Sequence, residues 1–295
     1  MRLTIRHETR YTYSEPAASA IQSLRLTPRS HDGQFVRRWR IDVSADARLE
    51  RREDGYGNIV HTVFVQGPLD ELLIVAEGDV DTDDRHGIAI GTAERQPLAL
   101  FLRATSLTHA TPEIVALAHG AITRQSGNRL AALHDLLGTL FSDIDFRPGE
   151  TTTRTTAGDA LQQRSGVCQD FAHIFLAAAR AIGIPARYVS GHYLRTDGPD
   201  QSAGHAWAEA HIDGIGWIGF DPANGVCVTD RHVRIAIGCD GLDAAPVRGA
   251  RTGGFDEKLT VSVTVAERGA ALAQMPPRPD KAALNQSQAQ AQSQT

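Results

Sequence analysis

A thiol, an imidazole and a carboxylate stand in the second half of this chain where local structure could make them work together: Cys168, His205 and Asp221. A cysteine becomes a useful nucleophile when a base manages its proton and a third group orients that base. Cys168 lies in Ser165-Gly166-Val167-Cys168-Gln169-Asp170-Phe171. Apolar residues then recur at Phe171, Ile174, Phe175, Ala178, Ala179 and Ile182, the spacing of one buried helical face. Gly183, with Pro185 beyond it, ends that helix. Cys168 is therefore expected in the first turn, where backbone N–H groups lack partners and the helix dipole favours the thiolate. A free cysteine is more commonly a small buried hydrophobe. The residues downstream weigh against that reading.

His205 opens one strand-like segment, HAWAEAHI, and Asp221 closes the next, WIGFDP, with Asp213–Gly216 as a turn between them. A hairpin brings the two close. Pairing Ile212 with Trp217, however, sets Asp221 opposite Ala208, on the wrong face from His205. That register calls for a bulge or a bend at Phe220-Asp221-Pro222. His205 shares its face with Trp207, Glu209 and His211. Ala206, Ala208, Ala210 and Ile212 point the other way, small enough for the Cys168 helix to pack closely and present its sulfur to His205. Trp207 and Trp217 are candidates to line a substrate channel, with core packing the alternative. His173, five residues beyond Cys168, is expected on a solvated side of the helix, and Asp170 is expected to bond locally at its start. His192 and His211 carry no assignment.

These groups need a frame, and the chain supplies two kinds. Residues 1–86 read as an antiparallel β domain: Leu3, Ile5, His7 and Thr9 alternate with Arg2, Thr4, Arg6 and Glu8. Short strands are expected near 23–27, 37–44, 59–65 and 72–77. From about 87 the pattern turns helical. Thr111-Pro112-Glu113 is a helix start, Asn128 a second cap, and Thr156-x-x-Asp159 a capping box. Strands return at 186–194, 205–212, 217–222 and 259–265. The expected division is 1–86, then 87–272 including the last strand, then a disordered tail at 273–295, rich in Pro, Gln, Ser and Ala.

Composition narrows the function. The 295 residues are 41% apolar, enough for a sizeable core, and the formal net charge is −5. That balance gives no basic surface for nucleic acid and no polybasic patch for a membrane; no run approaches the ~18 apolar residues of a span. The N-terminus alternates and shows no secretory h-region. Three cysteines, Cys168, Cys227 and Cys239, cannot form a full disulfide framework, so cytoplasm is the expected compartment; a Cys227–Cys239 bridge is left open. Isolated cysteines and a His205–His211 spacing unlike the usual zinc patterns argue against a metal, and no motif calls for an organic cofactor.

Taken together, GVCQDFAHIFLAAARAIGIPARYVSGH, HAWAEAHI and GWIGFDPANG resemble the bacterial transglutaminase-like proteins of the transglutaminase/papain-like superfamily. IRHETRYTYSEP, LRLTPRS and DGYGN look like that family's N-terminal β region, and HVRIAIGCD with PVRG like its post-catalytic segment, so the likeness spans roughly residues 1–265. It implies an α+β papain-like core, a nucleophile helix packed on an antiparallel sheet, with the catalytic positions at Cys168, His205 and Asp221. The Cys168 N–H is an oxyanion candidate, and Gln162, six residues upstream, stands where papain-like enzymes keep an oxyanion glutamine. Calcium, used by some animal transglutaminases, has no loop of spaced acidic ligands here. Cys239-Asp240-Gly241 departs from the family's arginine and aromatic around that aspartate. The implied activity is acyl transfer on peptide or protein amides through a thioester, with hydrolysis favoured and glutamine transamidation as the alternative. A peptide-binding scaffold without catalysis is the competing class. Oligomeric state is not legible.

Overall fold

A computed structural model describes residues 1–268; the tail expected at 273–295 lies outside the described residues. Among the described residues, two large antiparallel sheets, one short parallel pair of strands and four α-helices make an α+β fold. The first sheet is built on β1 (Arg2–Thr27) and β4 (Ile59–Thr82), both much longer than the short strands expected from the sequence. Facing pairs such as Arg2 with Asp81 and Arg6 with Glu77 match charge to register along their shared ladder. β2 (Gln34–Val43) and β3 (Ala47–Glu53) both pair with β4.

Four helices follow. α1 (Pro112–Arg124) and α2 (Arg129–Asp143) begin where the sequence places them: Thr111 Oγ1 accepts from the Ile114 N–H at 3.4 Å, and Asn128 Oδ1 from Ala131 N–H at 3.0 Å. α3 (Ala157–Gln163) carries the reciprocal Thr156–Asp159 capping box. α4 (Cys168–Ala181) is the central helix. Every residue from Asp170 to Arg180 is buried, because α1, α2 and α3 pack around the sides that the second sheet leaves open. This corrects His173, which is 0% exposed rather than solvated. A single apolar stripe in the sequence does not report how many neighbours a helix has.

The second sheet contains β5 (Ala186–Tyr193), β6 (His205–Ile212), β7 (Gly216–Asp221) and β8 (His232–Gly238), in the order β7-β6-β5-β8. Ala206, Ala208 and Ala210 of β6 lie in one core with Phe171, Ile174, Phe175 and Ala178 of α4. Phe220 of β7 stacks on Phe175, ring centres 5.1 Å apart. The chain then returns to the first sheet: β9 (Val247–Gly253) and β10 (Lys258–Glu267) both pair with β1. The last strand, expected with residues 87–272, thus belongs to the N-terminal sheet, where it completes the hydrogen bonding of β1.

Two amides join the sheets. Gln34 accepts from the Arg234 N–H at 2.7 Å and donates to the Arg234 carbonyl at 2.9 Å. Asn58 treats Ile237 in the same way, both bonds at 2.8 Å. Each side chain stands in for a missing neighbouring strand along the outer edge of β8, and so covers an edge that would otherwise present unpaired backbone.

Candidate active site

The position of Cys168 is set by a short loop and a buried carboxylate. Asp170, 1% exposed, accepts from the Val167 N–H at 2.8 Å and from the Thr151 hydroxyl at 2.6 Å, the local bonding expected of it. Burial raises its pKa against those two donors. A Cβ on Gly166 would fall 2.7 Å from the Asp170 Cβ, so this loop closes only around a glycine. Cys168 is the first residue of α4 and half-buried. Its own N–H lies in the first turn, where the helix has no carbonyl to offer, and is available to an incoming oxygen.

His205 and Asp221 come from the β6–β7 hairpin, in a register one residue away from the simple pairing. Ile212 faces Gly216, not Trp217, and Ala208 faces Phe220. Continued by one step, the ladder sets Asp221 opposite Trp207 and on the His205 face, with no bulge needed. The cause is the turn. Gly214 (φ +80°) and Gly216 (φ +103°) adopt left-handed backbone, and the Ile215 N–H reaches the Ile212 carbonyl at 3.0 Å, which spends three residues on the reversal.

His205 Nε2 lies 2.7 Å from Asp221 Oδ2. The Asp221 side chain is fully buried and is also held by Asn224, whose side-chain amide donates to Oδ2 at 2.7 Å and whose backbone N–H donates to Oδ1 at 3.3 Å. His232 Nε2 reaches the same Oδ2 at 3.1 Å. Burial opposes the charge of His205, but Asp221 outweighs it, with Cys168 as a second hydrogen-bonding neighbour, and the imidazolium pKa rises to about 10. Burial likewise opposes the Asp221 charge, and His205 and His232 together hold its pKa well below the carboxylate norm. With Nε2 committed to Asp221, Nδ1 is the nitrogen left for the Cys168 sulfur.

The other expected residues fall elsewhere. Gln162 is exposed on α3, with no hydrogen bond among the described residues that aims its amide at Cys168, because α3 ends at Arg164 (φ +52°) and the chain turns before the nucleophile loop. Trp217 is 5% exposed and serves as a platform for Arg187, whose guanidinium lies 3.9 Å from the ring centre. Trp207 is 1% exposed, edge-on to His232 at 5.3 Å. Trp207, though buried, borders a cavity together with Glu209 and His232, whereas Trp217 packs on Arg187. Glu209, on the His205 face, is 2% exposed between Arg187 (2.6 Å) and Arg234 (2.7 Å). Burial works against its charge, yet the two arginines lower its pKa to about 2.

Cys227 and Cys239 are both free and sit apart, Cys227 near His134 and Cys239 beneath Tyr56. The Cys239-Asp240-Gly241 segment packs on α4: the Gly241 N–H donates to His173 Nε2 at 3.0 Å, and a Cβ at Gly241 would fall 3.2 Å from that nitrogen and from Gln169 Oε1. Burial lowers the His173 pKa to about 3, so the ring is neutral and able to accept that bond.

Sequence reasoning missed His232 and Asn224. His232 opens a mostly apolar strand, HVRIAIG, as His205 opens its own. The ligand-capable atoms of His205, Asp221 and His232 lie within 4.8 Å of one another, close enough for a cation to bridge. His232 Nδ1, however, accepts from the Thr229 N–H at 3.1 Å, which puts the ring proton on Nε2, pointing at Asp221. The cluster is satisfied by hydrogen bonds alone.

Comparison with known proteins agrees with this architecture. Residues 3–81 match the bacterial transglutaminase-like N-terminal region, and residues 116–222 match the transglutaminase-like superfamily core. An uncharacterized protein of Mycobacterium leprae is 31% identical over 284 residues, covering 90% of this chain and 98% of its own length. One of Mycobacterium tuberculosis is 31% identical over 294 residues, covering 90% and 92%. A crystal structure from Cytophaga hutchinsonii, provisionally described as a cysteine protease, superposes with a TM-score of 0.71 at 22% identity over 90% of each chain. Two matched regions, a nucleophile helix on an antiparallel sheet and near full-length relatives lead to one conclusion: the chain belongs to the transglutaminase-like superfamily, with a bacterial transglutaminase-like N-terminal region ahead of its core.

Proposed function

We propose that the protein catalyses cysteine-dependent acyl transfer on peptide or protein amides through a thioester, with water as the usual acceptor. The observation that carries this reading is the 2.7 Å contact between a buried, ionised Asp221 and a His205 whose other nitrogen is left to a cysteine at a helix N-terminus. In this scheme the Cys168 sulfur attacks the carbonyl carbon, and the developing oxyanion rests on the Cys168 N–H. His205 passes its proton to the leaving amine as the C–N bond breaks. Water then attacks the thioester, His205 takes its proton, and the acid departs as the sulfur leaves. Asp221 keeps the ring oriented and its charge balanced throughout. The provisional description of the Cytophaga protein points in the same direction, and three free thiols are consistent with a reducing compartment.

Mass spectrometry of a peptide library incubated with the enzyme, with and without a primary amine, tests the reading. Cleavage or side-chain deamidation is expected in the wild type and absent in Cys168→Ala. Dominant incorporation of the amine would assign transamidation instead, and saturable binding without any mass change would assign a scaffold.

A further inference from the structure

His232 is a buried titratable group, in contact with Asp221, that the scheme above does not use. Its side chain is fully buried, and both of its nitrogens are committed: Nδ1 accepts from the Thr229 N–H and Nε2 points at Asp221 Oδ2. The ring is wedged between Tyr193 (4.7 Å between centres) and the edge of Trp207, which fix its plane. Oδ2 therefore receives three donors, from His205, His232 and Asn224, while Oδ1 receives one. An arrangement meant only to pull on His205 would leave that oxygen to His205 alone.

Building on the proposed function, we infer that His232 is a positioning residue that shares the Asp221 carboxylate with His205, anchoring the anion and moderating its hold on the His205 proton. A carboxylate oxygen that already accepts two N–H bonds has less charge to offer a third donor. That matters because His205 must surrender a proton to the leaving amine, and an imidazolium bound too tightly is a poor general acid. Burial lowers the His232 pKa even with Asp221 beside it, so the ring contributes an N–H dipole and not a second positive charge. The other charged groups around it do not replace this bond. Glu209 and Arg234 pair with each other, and His31, Asp83 and Arg85 stand on the N-terminal side of the cavity that His232 borders. His192, on β5, is buried and held neutral by its surroundings.

The clamp on β8 connects this bond to the first domain. Gln34 and Asn58 hold Arg234 and Ile237, on the strand that His232 begins. The N-terminal domain thereby contributes to the catalytic geometry by fixing the strand that holds the second imidazole.

Imidazole ¹⁵N NMR titration of the wild type, His232→Gln and His232→Leu tests the inference, with His232 signals assigned by their loss in the variants. In the wild type, His232 should be neutral at pH 7 with its proton on Nε2. In His232→Leu the His205 titration should move upward by about half a unit to one unit, the shift that one lost hydrogen bond carries. His232→Gln keeps an N–H donor near the same point and should restore the wild-type midpoint. A proton on Nδ1 of wild-type His232, a charged ring at pH 7, or an unmoved His205 midpoint in His232→Leu would each overturn the inference. The first two readings need only the assignment, supplied by whichever of the two variants folds. Failure of the proposed function would show separately, as a wild-type Cys168 that iodoacetamide alkylates no faster than Cys227.

Discussion

The two faces of β6 make different demands on the same eight residues. One face, Ala206, Ala208, Ala210 and Ile212, carries only methyl groups at its first three positions, so α4 can approach the sheet closely there. The other face, His205, Trp207 and Glu209, is polar and aromatic, and its charges are paired: His205 with Asp221, Glu209 with Arg187 and Arg234. The first face determines where the Cys168 helix lies. The second determines what stands beside the sulfur and how its proton is handled. Packing and chemistry are therefore divided between the two faces of this strand, and a substitution on the packing face should reach Cys168 only through the position of α4.

The largest effects belong to the chemical face and its nucleophile. Cys168→Ala should abolish thioester formation, read by loss of any covalent adduct with a peptide electrophile, while circular dichroism and the melting temperature stay near wild type. Asp221→Asn should lower kcat by roughly 10³–10⁴-fold, the cost of losing the residue that holds the imidazole tautomer. Its pH profile should change as well. In the wild type the His205 imidazolium persists until pH approaches about 10; without the Asp221 charge, burial dominates and the alkaline limb of kcat/KM should fall to lower pH.

Effects on stability come next. Arg187→Leu leaves Glu209 buried with one cation in place of two and should cost ~3–5 kcal/mol in urea unfolding. The sign of the pH dependence follows from Glu209. Its folded pKa, lowered to about 2, lies below its unfolded value, so its contribution is fully present above that unfolded value and fades as pH falls toward 2. Glu209→Gln should flatten the stability curve in that acid window and leave neutral pH comparatively steady in slope. On the packing face, Ala208→Leu should cost about 1–3 kcal/mol by overpacking and, by pushing α4 outward, should slow Cys168 alkylation. A similar cost, without the effect on Cys168, is expected at the clamp: Asn58→Leu leaves the Ile237 N–H and carbonyl unpartnered and should cost ~1–3 kcal/mol.

The same contrast explains what could be read from the sequence. Helix starts were legible because their chemistry is local: Thr111, Asn128 and the Thr156–Asp159 pair each cap backbone within three residues. The position of Cys168 at the mouth of α4 and the small back face of β6 were legible for the same reason. The His205–Asp221 contact was only half legible, because a three-residue turn built on positive φ at Gly214 and Gly216 shifts the ladder by one. His173 and His232 were misread or missed because their partners, the Gly241 N–H and Asp221, are set by how distant segments pack. The return of β10 to the first sheet is likewise a matter of long-range pairing that a period-2 pattern cannot specify.

The account stands on an activated sulfur at Cys168, and competitive alkylation reads that directly. Cys168 and Cys227 are both half-buried, so exposure alone does not separate them, and burial raises the pKa of Cys227. At pH 6 to 7, limiting iodoacetamide followed by peptide mapping should label Cys168 well ahead of Cys227, and Asp221→Asn should erase most of that lead. Equal labelling of the two cysteines in the folded wild-type protein would contradict it.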